Sequence, residues 1–300
     1  MRDVTIHRDA LANLHGAVLD WFASDGRDLA FRHASDPWAI LVSEVMAQQT
    51  QAARAAEHWT RFMEQFPTAA SLAAASPADV IRAWRGLGYN RRALGLRGAA
   101  IAISTDHGGR VPDTLDALVR LPGIGPYTAR AVLAIAYGHA VAALDVNIRR
   151  VLGRAFGGQA VAMRDLQSRA DGYVPKGRAA AWTHALMDIG AAFCRPHDPR
   201  CGGCPLRTRC AFADGRSVAG STENRRARPR PPRTAPFPAT TRWLRGRILD
   251  RLRDAAPGHW IEFDASLGVH PQAAVLAALT RMSAEGLLEL DGARARLATA

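Results

Sequence analysis

Four cysteines, all that this chain of 300 residues contains, stand close together as Cys194, Cys201, Cys204 and Cys210, a C-x6-C-x2-C-x5-C spacing. Scattered cysteines staple distant segments, whereas four thiols this near in sequence can converge on one small volume, as a metal site demands. Any fold the chain adopts must close this segment on itself. Zinc takes four thiolates in a tetrahedron and an iron–sulfur cube takes four as well, so counting sulfurs leaves both open, with paired disulfides a third arrangement. The opening residues, MRDVTIHRDALANLHG, carry no apolar h-region and no small-residue cleavage site. An oxidising compartment is therefore not expected, and the thiols should stay free for metal.

With 48% apolar residues the chain can bury one large or two modest cores, and no stretch approaches the eighteen-odd apolar residues of a membrane span. The expectation is a soluble, cytoplasmic protein. The 39 basic residues against 27 acidic ones leave a formal charge of +12, which points to a polyanionic partner, nucleic acid first. Part of that excess is compositional, because arginine and alanine are both abundant. Lys176 is the sole lysine, which matters because Schiff-base chemistry needs an amine.

Helical spacing dominates from residue 10 to about 212, and alternating strands are absent there, so the class is all-α. Asp36 and Pro37 read as N-cap and first helical residue ahead of WAILVSEVMAQQ. Ser76-Pro77-Ala78-Asp79 opens a helix that ends through Gly86 and Gly88, and Asp113 with Asp116 reads as a capping box for TLDALVRL. Residues 214–241 are a basic Pro/Arg-rich linker too poor in apolar side chains to fold alone. Beyond it, over 242–300, WLRGRILDRLRDA and HPQAAVLAALTRMSAEGLL predict two amphipathic helices, and LLELDG with ARARLA a short hairpin: a small winged-helix-like module, or else a helical cap on the main domain.

The segment DTLDALVRLPGIGPYTARAVLAIAYG places L-P-G-I-G between two helices, a helix-hairpin-helix signature. Gly123 and Gly125 let the backbone come close, and the amides at the start of the second helix can meet a DNA phosphate. Such contact positions a protein on DNA without reading sequence.

Three further segments, VSEVMAQQTQ, GLGYNRRA and LDVNIRRVLGR, join the hairpin and the cysteine loop in one order. In that order the chain resembles the adenine DNA glycosylases of the MutY type, within the endonuclease III superfamily, over roughly residues 15–212. The resemblance implies a six-helix domain with the helix-hairpin-helix over 30–138, and an iron–sulfur domain built from 1–29 and 139–213. It implies a [4Fe–4S] cluster on the four cysteines, and a monomer acting on double-stranded DNA with adenine mispaired with 8-oxoguanine or guanine, nucleoid-associated in a bacterium. By the same resemblance Glu44 protonates the leaving adenine at N7 and Asp145 stabilises the oxocarbenium ion, with Asn147 holding the reacting centre. Gln48, Gln49 and Thr50 serve the opposite base, Tyr89 wedges into the stack and Arg32 lines the adenine pocket. Tyr127 stands where bifunctional relatives carry the lysine that attacks the sugar, so strand cleavage is not expected.

The residues themselves agree with this division of labour. One carboxyl of such a pair must hold a proton while the other is ionised. Glu44 has Val42, Val45 and Met46 around it, so burial should raise its pKa, and Asp145 precedes a helix start, which favours an anion. Either acid could otherwise be an ordinary surface ion-pair partner. The cysteine loop also carries Arg200, Arg207 and Arg209, expected to meet phosphates.

The departures from the family pattern are Ala30-Phe31 where it has Pro-Trp, Ala47 for a leucine, and a C-terminal segment too short for the Nudix-like domain that inspects 8-oxoguanine. A thymine or uracil mismatch glycosylase of the same superfamily is the nearest alternative, and a non-catalytic iron–sulfur DNA-binding protein is one of another class.

Overall fold

The computed structural model describes residues 8–156, 163–215 and 236–299. The helices run in the order α1 (Arg8–Asp25), α2 (Pro37–Ala47), α3 (Ala52–Gln65), α4 (Ala69–Ala74), α5 (Pro77–Ala83) and α6 (Arg91–Asp106). They continue with α7 (Leu115–Arg120), α8 (Pro126–Ala136), α9 (Val146–Ala155), α10 (Met163–Gly172) and α11 (Ala179–Ala192), and then α12 (Thr241–Asp254) and α13 (Gln272–Ala284). Strands β1 (Ile261–Glu262), β2 (Leu288–Asp291) and β3 (Arg294–Leu297) form one small sheet. Among the described residues no helix is long and apolar enough to cross a membrane. Most of the linker expected over 214–241 lies outside the described residues.

Local chemistry sets the helix starts. Asp36 accepts from the Ala39 amide at 3.0 Å and Ser76 from that of Asp79 at 3.1 Å, so both caps stand where the sequence puts them. The cap of α7 differs. Thr114, not Asp113, accepts from the amide of Ala117 at 3.4 Å, and the helix begins at Leu115. Two adjacent residues can each cap, and the burial of Ala117 and Leu118 selects the register.

The chain divides into two compact units. One comprises Met1–Glu44, Asp113–Val119 and Gly125–Arg226; the other comprises Val45–Pro112, Arg120–Ile124 and Ala227–Ala300. In the first, α11 runs through the middle with Trp182, Leu186 and Ile189 buried, packed on α1, α8 and α9. Helix α9 buries Ile148, Val151, Leu152 and Ala155, a spacing of three and four that lays one stripe against that core. Each large side chain buried there contributes about 1.5–3 kcal/mol. Gly190 lets α11 and α9 close up, because a Cβ at that position would stand 2.6 Å from Cβ of Asn147.

In the second unit α6 packs on α4 and α5. The tip of the hairpin seats on α6, where a Cβ at Gly95 would lie 3.4 Å from Cα of Gly123. Gly123 itself has a φ of 77°, so its lack of a side chain serves both the turn and this close approach. The C-terminal module pairs α12 and α13 with a sheet of order β1-β3-β2, antiparallel throughout, with Ile261 opposite Ala295 and Leu288 opposite Leu297. This is the winged-helix-like arrangement expected, with β1 added. Its core of Leu244, Ile248, Phe263, Leu279 and Met282 is continuous with Ala78 and Ile81 of α5. Arg253 fastens the joint by donating to the Ile81 carbonyl and to Asn90 Oδ1.

Candidate active site

Glu44 sits one turn from the end of α2, a helix apolar nearly all round, and is only 7% exposed among Leu41, Val42, Val45 and Met46. Burial raises its pKa to about 7, and the charge of Asp145 adds to the rise. A hydrogen bond from Tyr127 and the charge of Arg32 oppose it without cancelling it. The Tyr127 hydroxyl donates to Glu44 Oε2 at 3.4 Å. Burial, then the negative field of Glu44, lifts the Tyr127 pKa well above the usual phenol value, so this side chain stays a neutral donor.

Asp145 is the N-cap of α9. Its Oδ1 accepts from the amides of Asn147 at 2.9 Å and Ile148 at 2.6 Å, and Oδ2 accepts from Nδ2 of Asn147 at 2.9 Å. Three donors at a helix N-terminus make a fixed, electropositive seat for a carboxylate. An acid that keeps its proton near neutrality thus stands in the field of a carboxyl group fixed by three donors.

Arg32 belongs to a buried cluster. Its two terminal nitrogens donate to Asp188 at 2.8 and 2.7 Å, and Arg27 adds its amide at 2.9 Å and Nε at 2.7 Å. Burial would raise the Asp188 pKa, but these hydrogen bonds outweigh it and hold the carboxyl below its usual range. His184 beside them is pushed down to about 3, by burial first and the Arg32 charge second, and is neutral. Arg32 Nε is buried with no hydrogen-bond partner.

The four cysteines are unpaired as disulfides, and all line one cavity with Val151, Ile189, Phe193 and Leu206. Burial raises the thiol pKa of Cys204 to about 11 and also lifts that of Cys201. Arg150 joins this loop to the carboxylate. It donates to the Cys194 carbonyl, to the Gly190 carbonyl at 2.8 Å and to Asn147 Oδ1 at 2.8 Å, and Asn147 in turn holds Asp145. Arg154 donates to the carbonyls of Arg195 and Pro196 at 2.7 and 3.2 Å.

Gln48, Gln49, Thr50, Tyr89 and Gly123 lie in the other unit, whereas Gly125 belongs with Glu44 and Asp145. Gln48, Gln49 and Thr50 form the turn after α2, and Tyr89 lies in the turn before α6. Gln49 at φ 53° and Tyr89 at φ 46° both adopt left-handed backbone, which costs side-chain-bearing residues of this kind about 1–3 kcal/mol each and collects at functional sites. Arg92 ties the two turns together, donating to the carbonyls of Val45, Gln48, Leu87 and Gly88 and to Thr50 Oγ1. Gly125 is the N-cap of α8, directly ahead of Pro126 and Tyr127.

Residues 42–171 match the family model of the HhH-GPD superfamily base excision DNA repair proteins. The chain is 42% identical over 242 residues to the adenine DNA glycosylase of Mycolicibacterium smegmatis, covering 79% of this chain and 80% of that one. The chain belongs to the adenine DNA glycosylase family. It is a DNA N-glycosylase. A thymine/uracil-DNA glycosylase of Methanothermobacter thermautotrophicus is 30% identical over 200 residues, 65% of this chain and 90% of that one. A solved thermostable thymine-DNA glycosylase superposes with a TM-score of 0.65 at 29% identity, over 69% of this chain and 98% of the other.

For an adenine DNA glycosylase the motif segments direct attention to Glu44 and Asp145 but leave out their supports. Arg27 and Asp188 hold Arg32, Arg150 holds Asn147, and Arg92 holds the turn of Gln48. Only Arg150 and Arg92 have a local signal, each lying inside a motif segment already singled out, RRVLGR and YNRRA.

Proposed function

We propose that this glycosylase hydrolyses the N-glycosidic bond of adenine mispaired with 8-oxoguanine or guanine in double-stranded DNA, without cutting the strand. The observation that carries it is the pairing of a buried, proton-holding Glu44 with an Asp145 carboxyl group fixed by three donors at the N-cap of α9. As the bond breaks, its electrons pass to the adenine ring, and Glu44 supplies a proton at N7 that neutralises them. Positive charge develops on the sugar, where the Asp145 carboxylate stabilises it. Water then adds at C1′ and gives up a proton, which restores the one Glu44 lost, to leave an abasic site. Tyr127 keeps its proton, steadies the Glu44 carboxyl, and gives the sugar no amine to react with. Lys176 is exposed in the turn ahead of α11.

A base inside a duplex must be flipped out, at a cost of a few kcal/mol. Tyr89, 47% exposed, and Gln48 and Gln49 are suited to the vacated space, with Thr50 fixing their turn, while Gly123 and Gly125 bring backbone amides to a phosphate. Arg32, anchored on Asp188, lends its charge to the Glu44 side. Removal of a pyrimidine is the second reading, favoured by the thymine glycosylase likenesses and by Tyr127, but thymine and uracil have no N7 for Glu44 to protonate. The formal charge of +12 fits action on DNA, which in a bacterium lies in the cytoplasm.

The expected products are free adenine and an abasic strand that breaks only after hot alkali, with no adduct trapped by borohydride. Breaks without alkali, or a trapped adduct, would contradict the monofunctional chemistry.

The cysteine cavity suits a [4Fe–4S] cluster held by Cys194, Cys201, Cys204 and Cys210. The four thiols line one cavity, as a cube that carries its own sulfide and takes one cysteine at each of four corners requires; zinc would instead draw all four sulfurs to about 2.3 Å from one ion. Loaded, the cluster would act as a structural brace rather than as a reactant. Arg200, Arg207 and Arg209, all exposed on this loop, would then face phosphates. Purified protein should hold iron and acid-labile sulfide at about four each per chain. Zinc without sulfide would overturn the cluster.

A further inference from the structure

The turn that carries Tyr89 forms one wall of a groove of about 900 Å3. Small-molecule sites of that size are mostly apolar, but this groove is lined by seven arginines against two carboxylates, Asp250 and Glu285. Four of the arginines are spoken for. Arg92 and Arg253 are held by backbone carbonyls, Arg245 is bound by both oxygens of Glu285, and Arg247 pairs with Asp250 at 2.5 Å.

Three are not. Arg54 near the start of α3, Arg91 at the start of α6 and Arg242 at the start of α12 are exposed, and of the three only Arg91 lies in the field of a groove carboxylate, Glu285, whose pKa it helps to lower behind Arg245. The Arg242 guanidinium stands 5.2 Å from the centre of the Tyr89 ring, so the C-terminal module reaches the strained, exposed aromatic directly. Exposed guanidinium groups on both walls, with an aromatic beside them, match a nucleic-acid strand, whose phosphates take the cations and whose bases offer faces to the ring. The module is fixed in this position by its shared core with α5 and by Arg253, so the second wall is built in before any ligand arrives.

We infer that the C-terminal module is a DNA-backbone clamp: Arg242 from α12, with Arg54 and Arg91 across the groove, takes phosphates of the strand that Tyr89 enters. This rests on the DNA glycosylase reading. It gives the winged-helix-like tail a task that its sequence does not state, and makes Arg242 the residue that both contacts DNA and orients Tyr89.

The test is the salt dependence of full-length protein binding to a duplex with a tetrahydrofuran abasic-site analogue opposite 8-oxoguanine. For each phosphate no longer neutralised, the slope of log K against log salt should shrink by about 0.9. Arg242→Gln should therefore flatten it by about one, and the triple variant Arg54→Gln, Arg91→Gln, Arg242→Gln by between about two and three. Arg281→Gln, exposed on α13 of the same module but outside the groove, should leave it unchanged. All four changed side chains lie at the surface, so an unaltered melting temperature checks folding. An unchanged slope in the triple variant overturns the clamp, as does an equal fall in Arg281→Gln, which would reduce the effect to net charge. Adenine release by the wild type is scored separately: release with an unchanged slope sinks the clamp alone, and a flattened slope without release leaves the clamp standing and sinks the chemistry.

Discussion

Asp145→Asn is expected to slow single-turnover base release about a thousandfold while duplex binding survives. The size follows from charge. A carboxylate about 4 Å from the developing cation, at an effective dielectric near 20, is worth about 4 kcal/mol, and each 1.36 kcal/mol is tenfold in rate. Folding should be spared, because asparagine caps a helix about as well as aspartate and its amide oxygen can still accept from the Asn147 and Ile148 amides that Oδ1 serves. Release at the wild-type rate would show that Asp145 acts only as the cap of α9.

Glu44→Gln should remove the proton donor and cost about 10²–10⁴ in rate. In the wild type the rate should fall as pH rises through about 7, because only the protonated Glu44 can donate. The same substitution should have the opposite effect on stability. The folded pKa of Glu44, about 7, lies above the unfolded value of 4.5, so the folded state binds the proton more tightly. That stabilisation is fully present below pH 4.5 and is lost as pH rises through 7. At pH 8 the wild type therefore carries a buried anion at a cost of about 3 kcal/mol, and Glu44→Gln should melt several degrees higher. The gain should shrink as the pH is lowered towards 4.5. A melting difference independent of pH would show that Glu44 does not change charge over this range.

What the sequence revealed was local. Four thiols close in the chain end up lining one cavity, because so short a loop has few places to put them. The caps at Asp36, Ser76 and Asp145 act over two or three residues, and each works as the side chains foretell. Glu44 is buried because its helix is apolar on every side. What stayed hidden joins parts far apart in the chain. Nothing about Asp188 within an apolar helix announces that Arg27 and Arg32, over a hundred and fifty residues earlier, will close on it. Strand β1 is two residues long and pairs with a strand more than thirty residues later, leaving no alternation to detect. The groove beside Tyr89 needs α12 to pack on α5, and amphipathic spacing says only that α12 packs on something.

The most direct test of the carboxylate pair and its substrate is single-turnover base release from duplexes carrying A:8-oxoguanine, A:G, T:G and U:G, each developed with hot alkali. Release of adenine from the first two, and of nothing from the others, is the result the geometry of Glu44 and Asp145 predicts. Release of thymine or uracil would contradict it, because neither base has an N7 to receive the proton that Glu44 holds.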